Sequence, residues 1–176
     1  MFSNKLTGLM LCVVVLLTCS DTKHTDFTLE KFQYNKTDYD EYIIARSDGY
    51  HQLTGYDVSD LSFGIVVVPG FYPRGWTKKG FEWAEPLREL TRFQVPVWLY
   101  RYNWNQCPEQ AVKEFHIAMV NLEIENPQLD SLWVIGHSYG GLIVALLAEK
   151  WDQELPLAIH AIASAMTGSS RSEKLC

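Results

Sequence analysis

The sequence predicts an α/β fold: a three-layer α/β/α sandwich built on a mostly parallel sheet. Three observations predict it. From residue 63 onward, short apolar runs alternate with segments of helical spacing, the pattern of parallel strands joined by crossover helices. One of those runs, Phe63-Gly64-Ile65-Val66-Val67-Val68, is unbroken and rich in β-branched residues, as a strand covered on both faces should be. The third is Leu132-Trp133-Val134-Ile135, followed at once by Gly136-His137-Ser138-Tyr139-Gly140 and then by the helix-like run Gly141 to Ala148. Strand, tight Gly-x-Ser-x-Gly turn and helix together make a nucleophile elbow. Such a turn projects the serine hydroxyl clear of the sheet, at the positive end of the helix.

Composition agrees with one globular domain. A chain of 176 residues can bury a sizeable core, and 47% apolar with 20% charged is ordinary. The net charge of -6, with no run of Lys and Arg, argues against nucleic acid as a partner. Six Trp, nine Tyr and eight Phe are many for this length. Aromatics that are not core often line apolar pockets.

Residues 1–19 read as a signal peptide. Lys5 supplies the positive start, and Leu6 to Leu17 is almost wholly apolar. That stretch is shorter than the ~20 residues a spanning helix needs. Leu16-Leu17-Thr18-Cys19 resembles the lipobox of bacterial lipoproteins, which implies a lipid on Cys19 and attachment to a membrane. Thr18 departs from the Gly, Ala or Ser usual there. An ordinary cut after Cys19 or Ser20, and an uncleaved anchor, both stay open on the same residues. Each alternative expects the body to be exported, held at the envelope or secreted. Residues 20–40 are polar and read as a tether or mature N-terminus. Cys107 and Cys176 are then the cysteines of the body, enough for one disulfide but without metal-ligand spacing. Asn35-Lys36-Thr37 matches a glycosylation acceptor.

The folded body spans residues 41–176. Glu41 to Arg46 reads as a strand, Ser47-Asp48-Gly49 as a turn, and Tyr50 to Leu53 as its hairpin partner. After Phe63–Val68, Pro69-Gly70-Phe71-Tyr72-Pro73-Arg74-Gly75 is a loop. Phe81, Ala84, Leu87 and Leu90 are spaced for a helix over 81–93. Val95 to Tyr100 is a strand with Pro96 at its start, where a missing donor is tolerated. Pro108 opens a helix carrying Ala111, Val112, Phe115, Ile117, Ala118 and Met119, and Asn126-Pro127 ends it. Leu157 to Ala163 is the last strand. Ligands of such sheets bind beyond the carboxyl ends of the strands, where Ser138 and the loop 69–75 both fall.

Acyl transfer by serine needs a nucleophile, a base and donors for the oxyanion. Ser138 is the candidate nucleophile, and the amide of Tyr139 the first oxyanion donor. The loop after the 63–68 strand should supply the second donor, the amide of Phe71, with Gly70 allowing close approach. Gly136 and Gly140 keep the elbow free of side chains. In this order, residues 63–163 resemble the first part of an α/β-hydrolase domain of the esterase and lipase kind. Pro69 stands where many members carry His before Gly. The resemblance implies hydrolysis of carboxylic esters or related acyl bonds, of small molecules or lipids, without metal or cofactor.

It also implies a later acid and then a histidine, in the order Ser, Asp or Glu, His. After Ser138 the histidine present is His160, inside the last predicted strand, where a satisfied or partly buried side chain is expected. Asp152 and Glu154 fall at the wrong edge of the sheet, and Glu173 lies on the tail. His137 should point away from the Ser138 hydroxyl and border the pocket. The expectation is therefore a domain lacking the family's last strands, weakly active or inactive. Without a triad member, only a residual ~10³–10⁴-fold catalysis remains. The alternative is a non-catalytic envelope lipoprotein or binding module that kept the fold. Trp76, Trp83, Trp104 and Tyr72 are candidates for an apolar acyl pocket.

Overall fold

The structure is a computed structural model that describes residues 27–28, 48–54, 62–71, 83–164 and 166. The signal segment with Cys19, the tether, the 41–46 strand, Tyr72 to Phe81 and the tail from 167 onward lie outside the described residues.

A mixed sheet organises the described residues. Its strands are β1 (Phe27–Thr28), β2 (Gly49–Thr54), β3 (Phe63–Val68), β4 (Val97–Arg101), β5 (Ser131–His137) and β6 (Leu157–Ile162). They lie in the order β1-β2-β4-β3-β5-β6. From β3 onward every pairing is parallel, as the alternation of apolar runs and helices predicts. β2 runs antiparallel to β4, with Tyr50 opposite Tyr100. Its predicted hairpin partner, 41–46, lies outside the described residues. Side chains at the start of β2 bind residues remote in sequence. Arg101 pairs with Asp48, and the Tyr50 hydroxyl donates to Glu125.

Three helices connect the parallel strands: α1 (Ala84–Leu90), α2 (Pro108–Glu125) and α3 (Tyr139–Lys150). In place of a single helix to Phe93, α1 gives way to a 3₁₀ turn over Thr91–Phe93. Gln94, at φ 53°, then takes the left-handed conformation that commonly ends a helix. Pro96 precedes β4, where its carbonyl accepts the Ile65 amide at 2.9 Å and no donor is missed. On α2 the buried residues are Ala111, Val112, Phe115, Met119 and Leu122. Ile117, expected in that stripe, is exposed, because two residues past Phe115 is the opposite side of a helix. The helix ends at Asn126, whose amide and side chain both donate to the Leu122 carbonyl.

The core sits on β3, β4 and β5 and on the helices over them. Ile65, Val67 and Val68 are fully buried, as are Leu132, Val134, Ile143 and Leu147. Each such side chain contributes roughly 1.5–3 kcal/mol by leaving water. β6 differs: Ala158, His160, Ala161 and Ile162 are exposed. Among the described residues, no helix is long and apolar enough to cross a membrane.

Candidate active site

β5 ends at His137 and α3 begins at Tyr139, so Ser138 alone makes the turn between them. Its backbone sits at φ 53° and ψ -118°, a conformation L residues rarely adopt. Such strain costs on the order of 1–3 kcal/mol and persists only where the surroundings enforce it. Three hydrogen bonds do so. The Ser138 amide donates to the Ile162 carbonyl at 2.9 Å. The Ser138 carbonyl accepts the amides of Gly141 at 3.0 Å and Leu142 at 3.3 Å.

The elbow glycines are required by contact. A Cβ on Gly136 would press on the Gly140 carbonyl and stand 2.7 Å from Val144 Cγ2. One on Gly140 would meet the carbonyls of Val68 and Pro69. Helix α3 thus starts directly against the end of β3, which brings the two sequence-distant halves of the site together. Gly70 completes the approach: a Cβ there would lie 2.9 Å from Ser138 Cβ and 3.1 Å from the His137 carbonyl oxygen. Phe71 follows, half-buried against the core. The Tyr139 amide is in the first turn of α3, where helix geometry provides no intrahelical acceptor and the dipole is positive.

Two tyrosines brace these elements. The hydroxyl of Tyr102, a fully buried residue, donates to the Pro69 carbonyl at 2.9 Å. The Tyr139 hydroxyl donates to the Gln106 carbonyl at 2.9 Å. Burial, aided by the charge of Glu109, pushes the Tyr139 phenol up to about 12.

Beside the elbow lies an apolar cleft of ≈ 220 Å³ lined by Trp83, Pro86, His137 and Ile162. It is smaller than the roughly 300–1,000 Å³ typical of drug-sized ligand sites. The edge of the Trp83 ring meets His137, with centroids 6.0 Å apart. Trp83 Nε1 is buried without a hydrogen-bond partner among the described residues. His137 borders the cleft, as its strand position predicts. Trp104 does not; it is buried against Tyr102, with the Arg101 guanidinium 4.5 Å from its ring. Trp76 and Tyr72 lie outside the described residues.

The other described histidines lie on other elements, β6, α2 and β2. His160 is exposed on β6 rather than satisfied in a covered strand, its ring 5.9 Å from Trp133. Among the described residues β6 pairs with β5 alone, at the edge of the sheet. His116 on α2 reaches Asp152 at 3.3 Å and packs edge-on against Trp151. Asp152 is held below the usual carboxylate range, first by the Gln153 amide and then by His116. His51 is on β2. Among the described residues, no cluster of His, Cys, Asp and Glu could hold a metal ion. Cys107, which caps the start of α2, is disulfide-bonded.

Sequence reasoning missed Tyr102, Pro86 and Ile162. Tyr102 follows an apolar strand and Ile162 ends one, so each looks like ordinary core. No family model, curated protein or solved structure matches this chain.

Proposed function

We propose that this chain is a serine hydrolase of the α/β-hydrolase kind, acting on carboxylic esters or related acyl bonds through Ser138. The observation that carries the reading is the backbone of Ser138. It is strained at φ 53° between a buried strand and a helix, with the Gly70 loop against its Cβ. A structural turn at this place would be relieved by glycine, and strain at an exposed end of a strand is characteristic of functional sites. Ser138 Oγ attacks the acyl carbon, and the amides of Tyr139 and Phe71 stabilise the oxyanion. The alcohol or thiol leaves carrying the proton lost by Ser138, and water then releases the acid and returns a proton to Ser138 Oγ. The short apolar cleft beside His137 suits a small acyl group.

The topology supports the three-layer form. The chain steps from β3 to β4 in one direction, then returns past β3 to β5 and β6. Right-handed crossovers then put α1 on one face and α2 with α3 on the other. The packing of α2 against α3 agrees with this. Export, with Cys19 as a lipid-bearing residue or simply removed, is part of the same proposal. The disulfide at Cys107 fits an oxidising compartment.

A second reading rests on the histidines. Hydrolysis needs a base for the Ser138 proton, whereas His160 packs on Trp133 and His116 on Asp152. They favour a binding module of the envelope that retains a hydrolase-like fold. A fluorophosphonate probe separates the two. Labelling of Ser138, abolished by Ser138→Ala, supports the hydrolase; an unlabelled, folded protein supports the binding module.

A further inference from the structure

We propose that Tyr102 is a positioning residue for the oxyanion loop, working with Tyr139 to hold both donor amides from the segment that follows β4. The inference rests on the reading of Ser138 as nucleophile.

β4 ends at Arg101, so Tyr102 emerges at the same sheet edge as Ser138 and Gly70. Its side chain is fully buried and its hydroxyl donates to the carbonyl of Pro69. That carbonyl shares a peptide plane with the Gly70 amide. Fixing the plane fixes where the loop begins, and the next peptide carries the Phe71 amide. Gly70 has no side chain to restrain that second peptide. The restraint comes from outside: the Tyr102 hydroxyl on one side of the Pro69 carbonyl, and the start of α3 at Gly140 pressed against it.

The other donor is tied to the same segment. Tyr139 packs on Tyr102 with ring centroids 5.9 Å apart, and its hydroxyl donates to the Gln106 carbonyl. Gln106 directly precedes the disulfide-bonded Cys107 and α2. Residues 102–107 therefore hold the loop after β3 through the Tyr102 phenol and the first turn of α3 through the Gln106 carbonyl, which accepts the Tyr139 phenol. The ring of Tyr102 alone would satisfy packing, since it lies among Tyr100, Trp104 and Tyr139. A buried hydroxyl costs stability unless bonded. Here its acceptor is a carbonyl of the oxyanion loop.

The test uses the full chain and a fluorophosphonate at rising concentrations. In that reaction a bond forms between Ser138 Oγ and phosphorus, the P–F bond breaks, fluoride leaves, and the hydroxyl proton passes to solvent. The phosphoryl oxygen occupies the oxyanion position, so the maximal labelling rate reports the donors and the half-saturating concentration reports the cleft. Loss of a whole donor costs ~10²–10³-fold, so a loosened donor in Tyr102→Phe should slow the maximal rate about tenfold. Half-saturation should stay unchanged. A wild-type rate in Tyr102→Phe would overturn the inference alone, as would a change confined to half-saturation or to the melting temperature. A wild-type protein that never labels at Ser138 would overturn the reading of Ser138, and this inference with it. If Tyr102→Phe does not fold, Tyr139→Phe is read in the same way, because it removes the second grip and leaves the first.

Discussion

β3 and β6 come from the same kind of sequence, a six-residue run dominated by apolar side chains, yet the fold treats them oppositely. β3 lies between β4 and β5, and its residues from Ile65 to Val68 are at most 1% exposed. Among the described residues β6 pairs with β5 alone, and Ile162 is 51% exposed. The candidate site straddles the two. Its Gly70 loop leaves β3, while the Ser138 amide is hooked to the carbonyl of Ile162 at the end of β6. Strain at Ser138 can thus be stored because one side of the turn is locked against the buried strand β3. The cleft stays open because its other wall is the exposed strand.

The largest effect should come from emptying the buried side. Leu132→Ala on β5 removes a fully buried side chain and should cost ~2–5 kcal/mol, against under about 1 kcal/mol for Ile162→Ala on β6. Urea unfolding of both variants at a common slope checks this. Equal costs would mean that the exposed strand is as much a part of the core as the buried one. Next is Gly140→Ala, whose Cβ must displace the carbonyls of Val68 and Pro69. A loss of ~1–3 kcal/mol together with slower labelling of Ser138 is expected. Stability lost with labelling intact would separate the elbow from the loop.

Ser138→Gly should go the other way. Glycine tolerates φ 53°, so the variant should gain about 1 kcal/mol in the same unfolding experiment while losing all labelling. No gain would mean that the turn is not strained. The smallest effect concerns pH. The Tyr139 phenol titrates at about 12, above its ordinary 10.0, so the folded state favours the neutral phenol. That contribution is full below pH 10 and is lost as pH rises through 12. Tyr139→Phe should therefore flatten the alkaline fall in stability between those values. Tyr100 and Tyr50, also raised by burial, will keep part of the slope.

Much of this was legible because short-range chemistry decides it. The unbroken run at 63–68, the proline that opens α2 and the strand-turn-helix around Ser138 each announce their own structure. Gly136, Gly140 and Gly70 could be picked out because close approach leaves a compositional mark, the absence of a side chain. The 3₁₀ ending of α1 and the exposure of Ile117 are small departures, set by local geometry that a spacing pattern averages over. Tyr102 was not legible. A tyrosine after an apolar strand carries no sign of which carbonyl its hydroxyl will meet, and Pro69 is far away in sequence.

By itself, the sequence determined the alternation of strands and helices and the strand-turn-helix around Ser138. Both depend on backbone preferences and side-chain periodicity within a few residues. Only the tertiary structure decided which apolar strand is buried and which is exposed, that β2 runs against β4, and that the Gly70 loop lies on Ser138. Strand order and contact between distant loops are settled by packing across the sheet, where the partner of a residue is chosen by the whole chain.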